Sequence, residues 1–112
     1  MQGIRAVVTG MGVITPLGCD LEKFWQDLAD GKSGIGKVTR FDVSDYSTRI
    51  AAEVKDFDGD RFFEKKELRR LDLVEQYAIA ASQIAIDDSG LNPKSVDPYR
   101  AGVIIASGIG GI

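Results

Sequence analysis

Histidine is absent from the 112 residues, and cysteine occurs once, as Cys19. Without histidine the chain lacks the commonest general base and the commonest zinc ligand of proteins. A single cysteine excludes an internal disulfide and favours a reducing compartment. No pair of carboxylates is placed for general acid–base catalysis. The one adjacent pair near a helix end, Asp87 and Asp88, is expected to be solvated. We therefore assign no catalytic residue, no metal site and no cofactor to this chain.

Long apolar runs and an excess of positive charge are also missing. No stretch approaches the roughly 20 apolar residues of a membrane helix, and residues 1–5 do not have the charged-then-apolar order of a signal peptide. The formal net charge of −3 argues against nucleic acid as the main partner. The sequence predicts a cytoplasmic globular chain that binds neither membrane nor nucleic acid.

Two short β-branched runs that end in glycines are the most distinctive features present. Residues 4–18 pass from Ala-Val-Val into Thr-Gly-Met-Gly, and residues 100–112 pass from Val-Ile-Ile into Ser-Gly-Ile-Gly-Gly. This pattern is typical of buried strands whose carboxyl ends bring backbone close to another group. We predict parallel strands near 5–9 and 99–107, with ligands binding at their carboxyl ends. Because the second run stops at Ile112, the sequence resembles the amino-terminal piece of a larger enzyme.

A first helix is predicted directly after Asp20, which is a favourable N-cap residue. Gly31 is expected to end this helix in the left-handed conformation. Four apolar residues at helical spacing form one face of the helix and are expected to face a core: Leu21, Phe24, Trp25 and Leu28.

The remaining pattern predicts a loop, an edge strand and one long helix. The loop covers 31–48, and alternating apolar and charged residues near 50–55 indicate an edge or hairpin strand. The long helix runs from near Lys65 to Ser89, its alanine-rich half 77–86 is expected to be buried on most sides, and Gly90 caps it. The order β-α-(hairpin)-α-β indicates an α/β fold.

Two glycine motifs raise nucleotide binding as an alternative. The segment Thr9 to Gly12 follows a predicted strand, as in a dinucleotide fingerprint, but the third glycine is missing and Pro16 occupies the helix position. Gly31-Lys32-Ser33 matches the tail of a phosphate-binding loop, yet it follows a helix carboxyl end, the wrong pole for phosphate. A nicotinamide-nucleotide-binding domain is therefore the less favoured alternative.

Cys19 has two interpretations. Its position just before a helix N-terminus can lower a thiol pKa, as in reactive cysteines. Since no imidazole is available to pair with the thiol, we favour a small loop residue with no chemical role.

The glycine-rich runs belong to an ordered set of motifs across nearly the whole chain. Between them come Gly-Lys-Ser-Gly-Ile, then Arg40-Phe41-Asp42, then Lys55-Asp56-Phe57. From about Arg5 to Ile112 this set closely resembles the amino-terminal region of the beta-ketoacyl-acyl carrier protein synthases, in particular the type II elongating enzymes of bacterial fatty acid synthesis. On this resemblance, residues 1–112 form an incomplete amino-terminal domain of a thiolase-like layered α/β fold that works as a homodimer.

The resemblance implies an acyltransferase that performs a decarboxylating Claisen condensation of acyl and malonyl thioesters on acyl carrier protein. In that family a cysteine takes the acyl chain and two histidines assist decarboxylation, all beyond position 112. Cys19 does not match the nucleophile's motif, so the chain alone is expected to be inactive. A non-catalytic partner that sets chain length is an alternative, because nothing before position 112 distinguishes it from an active synthase.

The resemblance also implies two groups of site residues. Gly108 and Ile109 match the stretch that lines the acyl-chain pocket near the dimer interface, and a branched residue beside glycines can project into a cavity. The alternative is that Ile109 is ordinary core. Four basic residues match basic positions of bacterial type II synthases and would attract the acidic carrier protein: Lys65, Lys66, Arg69 and Arg70. The alternative for this basic cluster is the solvated start of a charged helix.

Overall fold

The computed structural model describes residues 3–111, so Ile112, the end of the second glycine-rich run, lies outside the described residues. Within 3–111 the regular elements are three α-helices and one two-stranded sheet. In chain order they are α1 (Leu21–Ala29), β1 (Gly36–Lys37), β2 (Ile50–Ala51), α2 (Lys65–Leu68) and α3 (Leu73–Ser89). Short 3₁₀ turns occur at Gly59–Arg61, Pro93–Ser95 and Pro98–Arg100.

Helix α1 begins and ends as the sequence predicts. The Asp20 carboxylate accepts a hydrogen bond from the Lys23 backbone N–H at 2.8 Å. Gly31 follows the helix with φ of 70°, a left-handed conformation that glycine adopts without strain. The expected core-facing side is not covered within residues 3–111, where Trp25 is 66% exposed and Leu28 is 48% exposed. The core prediction is therefore wrong for these two side chains.

The long second helix is divided into α2 and α3. Asp72 and Glu75 form a capping box, in which the Glu75 carboxylate accepts a hydrogen bond from the Asp72 backbone N–H at 2.9 Å. The Gln76 side-chain amide donates to the carbonyl oxygens of Leu71 at 2.8 Å and Leu68 at 3.3 Å. Because these bonds satisfy backbone groups that the interruption leaves free, two helices replace the predicted one. The far end agrees with prediction, since Gly90 follows α3 with φ of 65°.

The hairpin is shorter than predicted, and a hydrogen bond links the segment beside it to α3. β1 and β2 pair antiparallel, and β1 lies inside the segment 31–48 that was predicted to be a loop. The Arg40 guanidinium donates to the Val54 carbonyl at 3.0 Å and to the Tyr77 hydroxyl at 3.1 Å. Since Tyr77 belongs to α3, Arg40 joins the segment after β2 to that helix.

The two predicted main strands are not formed within residues 3–111. Segments 5–9 and 101–107 have no strand assignment and are exposed, with Ile104 at 95%. Gly12, Ile14 and residues 104–107 instead lie beside α3, where they line a cavity of about 500 Å³. A strand requires a neighbouring backbone to pair its N–H and C=O groups, and these two segments do not pair with each other. The predicted parallel sheet is thus wrong for the described residues, and the α/β layered fold is visible only in part.

Little apolar surface is buried. Among the apolar residues of 3–111, only Ala80 is fully buried, at 0% exposure. Ile79, in the half of α3 expected to be buried, is 47% exposed, and Val7 and Val8 are exposed as well. The radius of gyration is 17.3 Å, compared with about 13 Å for a compact chain of this length. Residues 3–111 therefore leave many of their large apolar side chains exposed to solvent.

The amino-terminal segment reaches α3 through two glycines. A Cβ atom at Gly12 would overlap the carbonyl oxygen of Ala81 and lie 2.8 Å from the backbone nitrogen of Ala85. A Cβ atom at Gly10 would overlap the Ala85 carbonyl oxygen and lie 2.6 Å from the backbone nitrogen of Ser89. Backbone therefore meets backbone, and only glycine allows this approach.

Gly12→Ala is expected to destabilise the fold by about 1–3 kcal/mol, the usual cost of overpacking a close contact. The reason is that the added methyl group meets helix backbone, which cannot rotate away. The measurement is urea or thermal unfolding of the purified protein that contains this chain. Gly102→Ala is the matched control, because no atom lies within 4 Å of its Cβ position and its φ is not positive. An equal loss of stability in both variants would contradict the prediction.

Candidate functional site

The predicted basic cluster lies on α2 and on the turn that follows it. Lys65 and Lys66 are in the helix, whereas Arg69 and Arg70 form the turn. All four side chains are exposed, and none forms an ion pair within residues 3–111. The turn keeps helical backbone, since Arg70 N–H donates to the Glu67 carbonyl at 2.8 Å. The cluster is therefore a solvent-facing group of four positive charges on α2 and the turn between α2 and α3.

The acidic residues beside the cluster are engaged in capping. Glu64 and Glu67 form a capping box at the start of α2, in which the Glu67 carboxylate accepts from the Glu64 backbone N–H at 3.0 Å. Because Glu67 binds backbone rather than a basic side chain, it leaves the four cations available to an external anion.

The predicted pocket residues lie at a tight glycine turn. Ile109 is 75% exposed, and no atom lies within 4 Å of the Cβ position at Gly108. Gly110 and Gly111 follow with φ of 49° and 64°. Two successive left-handed residues reverse the chain direction at low energy only when they are glycine. The turn therefore leaves the Ile109 side chain largely exposed within residues 3–111.

The structure brings the glycine turn and the basic cluster to the same corner, between α2 and α3. A Cβ atom at Gly111 would lie 2.8 Å from Asp72 Oδ2, and one at Gly110 would lie 3.2 Å from Val74 Cγ2. Asp72 follows two residues after Arg70 in the chain. Asp72 and Val74 were not predicted to contact the glycine turn. The only sequence signal for either was the Asp-x-x-Glu pattern of a capping box.

Cys19 has the environment of an unreactive thiol. It lies in a cavity of about 430 Å³ that is also lined by Asp56, Arg61 and Asp88. Partial burial raises the pKa of the Cys19 thiol above its ordinary value, and the negative charge of Asp56 adds to this effect. A backbone hydrogen bond with Thr15 and the positive charge of Arg61 oppose it. The structure thus favours the small loop residue over the reactive thiol.

The phosphate-loop interpretation of Gly31-Lys32-Ser33 is not supported. Lys32 Nζ lies 2.5 Å from Asp27 Oδ1 and 3.7 Å from Asp30 Oδ2, beside the carboxyl end of α1. Hydrogen bonds from Lys23 and then Lys32 hold the pKa of Asp27 below its usual range. Lys32 is therefore occupied by carboxylates. The dinucleotide interpretation is also weakened, because the close contact between α3 backbone and residues 10 and 12 already explains why both are glycine.

The described part of the chain contains neither a metal-binding cluster nor a membrane-spanning helix. Within 3–111, no group of three or more Cys, Asp and Glu residues could hold a metal ion. None of the described helices combines the length and apolar character needed to cross a membrane.

Alkylation of Cys19 by iodoacetamide near neutral pH is expected to be slower than alkylation of a cysteine in an unstructured peptide. The raised pKa leaves a smaller thiolate fraction, and the rate should keep rising above pH about 8.5, the ordinary pKa of a thiol. The same protein unfolded in urea serves as the control and should react like the peptide. A folded-state rate equal to the peptide's near neutral pH would contradict this assignment.

Residues 5–112 match the family model described as "Beta-ketoacyl synthase, N-terminal domain". A curated relative from Synechocystis sp., named 3-oxoacyl-[acyl-carrier-protein] synthase 2, is 47% identical over 96% of this chain. One of the same name from Vibrio harveyi is 48% identical over 100% of it. The matches cover 26% and 27% of those relatives, so the chain spans about a quarter of their length.

Two solved structures resemble the chain. "The ishigamide ketosynthase/chain length factor" has a TM-score of 0.72 and 37% identity, covering 80% of this chain and 22% of that one. A beta-ketoacyl synthase from Burkholderia phymatum has a TM-score of 0.63 and 27% identity with the same coverage. These neighbours are ketosynthases of thiolase-like fold, and the family match covers nearly all of the sequence. The chain belongs to the beta-ketoacyl synthase family, and residues 5–112 match the amino-terminal domain of that family.

Proposed function

We propose that this chain is the amino-terminal part of a 3-oxoacyl-[acyl-carrier-protein] synthase. Such an enzyme is an acyltransferase that elongates fatty acids by decarboxylating condensation of acyl and malonyl groups carried on acyl carrier protein. The observation that carries the proposal is the family match over residues 5–112, together with 47% and 48% identity to synthases of that name. The working unit in this proposal is a cytoplasmic homodimer.

The chemical step belongs to residues beyond this chain in the proposal. A cysteine nucleophile and two histidines would follow position 112, and this chain contains no histidine. Cys19 does not match the nucleophile's motif, and partial burial raises the pKa of its thiol, which disfavours the reactive thiolate. The chain instead supplies one wall of the acyl pocket and a surface that binds the carrier.

The basic cluster is the proposed carrier-docking surface. Its four charges, on Lys65, Lys66, Arg69 and Arg70, are exposed and have no ion-pair partner within residues 3–111. An acidic carrier would be attracted by such a surface, and the attraction acts mainly on the rate of association.

Gly108 and Ile109 are the proposed acyl-pocket residues. The exposed Ile109 side chain offers a branched apolar surface, and the open space at Gly108 leaves room beside it. An acyl chain could remove the Ile109 surface from water, which provides the driving force for binding.

Condensing activity is expected only in a longer protein that includes this chain. With acyl-carrier and malonyl-carrier substrates, the complete protein should release carbon dioxide and form the 3-oxoacyl product. Residues 1–112 alone should form none, and their exposed apolar surface should favour aggregation. Product formation by the isolated chain would overturn the division of roles. Lack of product with the complete protein would overturn the proposed function.

Reversing the charge of Lys66, Arg69 and Arg70 to glutamate in the complete protein is expected to raise KM for carrier-bound substrate roughly tenfold or more. The effect should shrink as salt shortens the screening length from about 10 Å. Turnover at saturation should change little, because the cluster takes no part in the chemical step.

Two controls distinguish docking from general damage. A pantetheine thioester, which bypasses docking, should be processed equally by the variant and the parent. Reversal of three other exposed basic residues changes the net charge equally and should leave KM near the parent value: Lys37, Lys94 and Arg100. Equal impairment of carrier and pantetheine substrates would show that the cluster is structural.

A second candidate is the non-catalytic partner that sets chain length. It is favoured by the solved relative titled "The ishigamide ketosynthase/chain length factor", which is 37% identical to this chain. The sequence that follows position 112 distinguishes the two candidates. A cysteine in a small-residue strand–helix turn with two later histidines indicates the enzyme, whereas a glutamine in that turn indicates the partner.

A further inference from the structure

The glycine turn that carries Ile109 rests on the first turn of α3. The Cβ position at Gly111 is 2.8 Å from Asp72 Oδ2, and the Cβ position at Gly110 is 3.2 Å from Val74 Cγ2. A side chain at Gly111 would meet the Asp72 carboxylate. A side chain at Gly110 would meet Val74 and the Ser107 hydroxyl, whose Oγ lies 2.8 Å from that Cβ position. The Asp72 carboxylate therefore lies directly against Gly111 and limits how close the turn can come to the helix.

Asp72 is itself held in place. Its backbone N–H donates to the Glu75 carboxylate at 2.9 Å, and its side chain takes part in the same capping box. The carbonyl of Leu71, the residue before it, accepts from the Gln76 side chain at 2.8 Å, and Gln76 is only 8% exposed. The buried Gln76 amide thus holds the backbone next to Asp72 in place, so the Asp72 carboxylate has a defined position beside Gly111.

The left-handed backbone of Gly110 and Gly111 makes the turn sensitive to this contact. Gly110 and Gly111 have φ of 49° and 64°. Because glycine can adopt other backbone conformations at little cost, contacts from neighbouring residues are needed to select this one. Apart from Ser107, whose Oγ lies 2.8 Å from the Cβ position at Gly110, the turn makes few other contacts, since Gly108 has open space around it and Ile109 is 75% exposed. Asp72 and Val74 are therefore a main constraint on where Ile109 points.

We propose that Asp72 is a positioning residue for Ile109, and that the Asp72 side chain sets the depth of the acyl pocket by supporting the glycine turn. This inference rests on the proposed function, because it gives Ile109 the role of pocket wall. It goes further by adding a specificity determinant outside the pocket, at the corner that also carries the basic cluster.

Three variants of the complete protein separate this support from the capping of α3. Asp72→Ser keeps an N-cap hydroxyl but shortens the side chain beneath Gly111, whereas Asp72→Asn keeps both the cap and the shape. Glu75→Ala removes the other half of the capping box and leaves the Asp72 side chain in place. Ile109→Trp calibrates the readout by filling the proposed pocket directly.

The first measurement is the ratio of kcat/KM for long and short acyl-carrier substrates. Asp72→Ser is expected to change this ratio by about tenfold, the effect of gaining or losing a methylene-sized contact. Asp72→Asn should restore the parent ratio, and Glu75→Ala should lower the melting temperature without changing the ratio. A parent ratio in Asp72→Ser, or equal changes in Asp72→Ser and Glu75→Ala, would overturn the proposal.

The second measurement is hydrogen exchange at the backbone amides of residues 107–111, which does not depend on activity. Asp72→Ser should speed exchange there, whereas Glu75→Ala should speed it only near the start of α3. If the parent protein forms no condensation product, the proposed function fails and exchange alone decides whether Asp72 supports the turn. Unchanged exchange at 107–111 in Asp72→Ser would overturn that support.

Discussion

Close contact between the amino-terminal segment and α3 organises the chain. Because Gly10 and Gly12 have no side chains, their backbone lies against the helix backbone near Ala81 and Ala85. The same helix receives the hairpin through Tyr77, whose hydroxyl accepts from Arg40 and whose ring contacts Phe57 edge-on at 5.0 Å between centroids. Helix α3 is thus the element against which the otherwise separate segments are placed.

The interruption between α2 and α3 connects this scaffold to the candidate site. An unbroken helix would have kept Arg69 and Arg70 on a regular helical surface, with no free helix start after them. The capping box of Asp72 and Glu75 instead begins a new helix beside the basic turn, and Gln76 satisfies the carbonyls left between. The start of α3 then meets the glycine turn, so that the basic cluster and Ile109, the residues proposed to bind the carrier and the acyl chain, lie near the same end of α3.

The exposed apolar side chains follow from the same arrangement. Val7, Val8 and Ile104 have the β-branched character of buried strands, yet within residues 3–111 no neighbouring strand covers them. The apolar pattern predicted burial of these segments, and within residues 3–111 they are exposed. It could not determine strand structure, because a strand exists only when another backbone completes its hydrogen bonds. The prediction that Trp25 and Ile79 are buried was wrong because no other segment of residues 3–111 covers these two side chains.

The sequence by itself determined what short-range interactions control. The N-cap at Asp20 and the left-handed glycines at positions 31 and 90 depend on neighbours a few residues away, so each was predictable. The family was predictable as well, because its motifs are read directly from the order of residues along the chain. Tertiary structure decided where the long helix breaks, which glycines meet α3, and that Asp72 lies beneath Gly111. These features depend on groups distant along the chain, such as Gly12 and Ala81, whose distance in space no local pattern encodes.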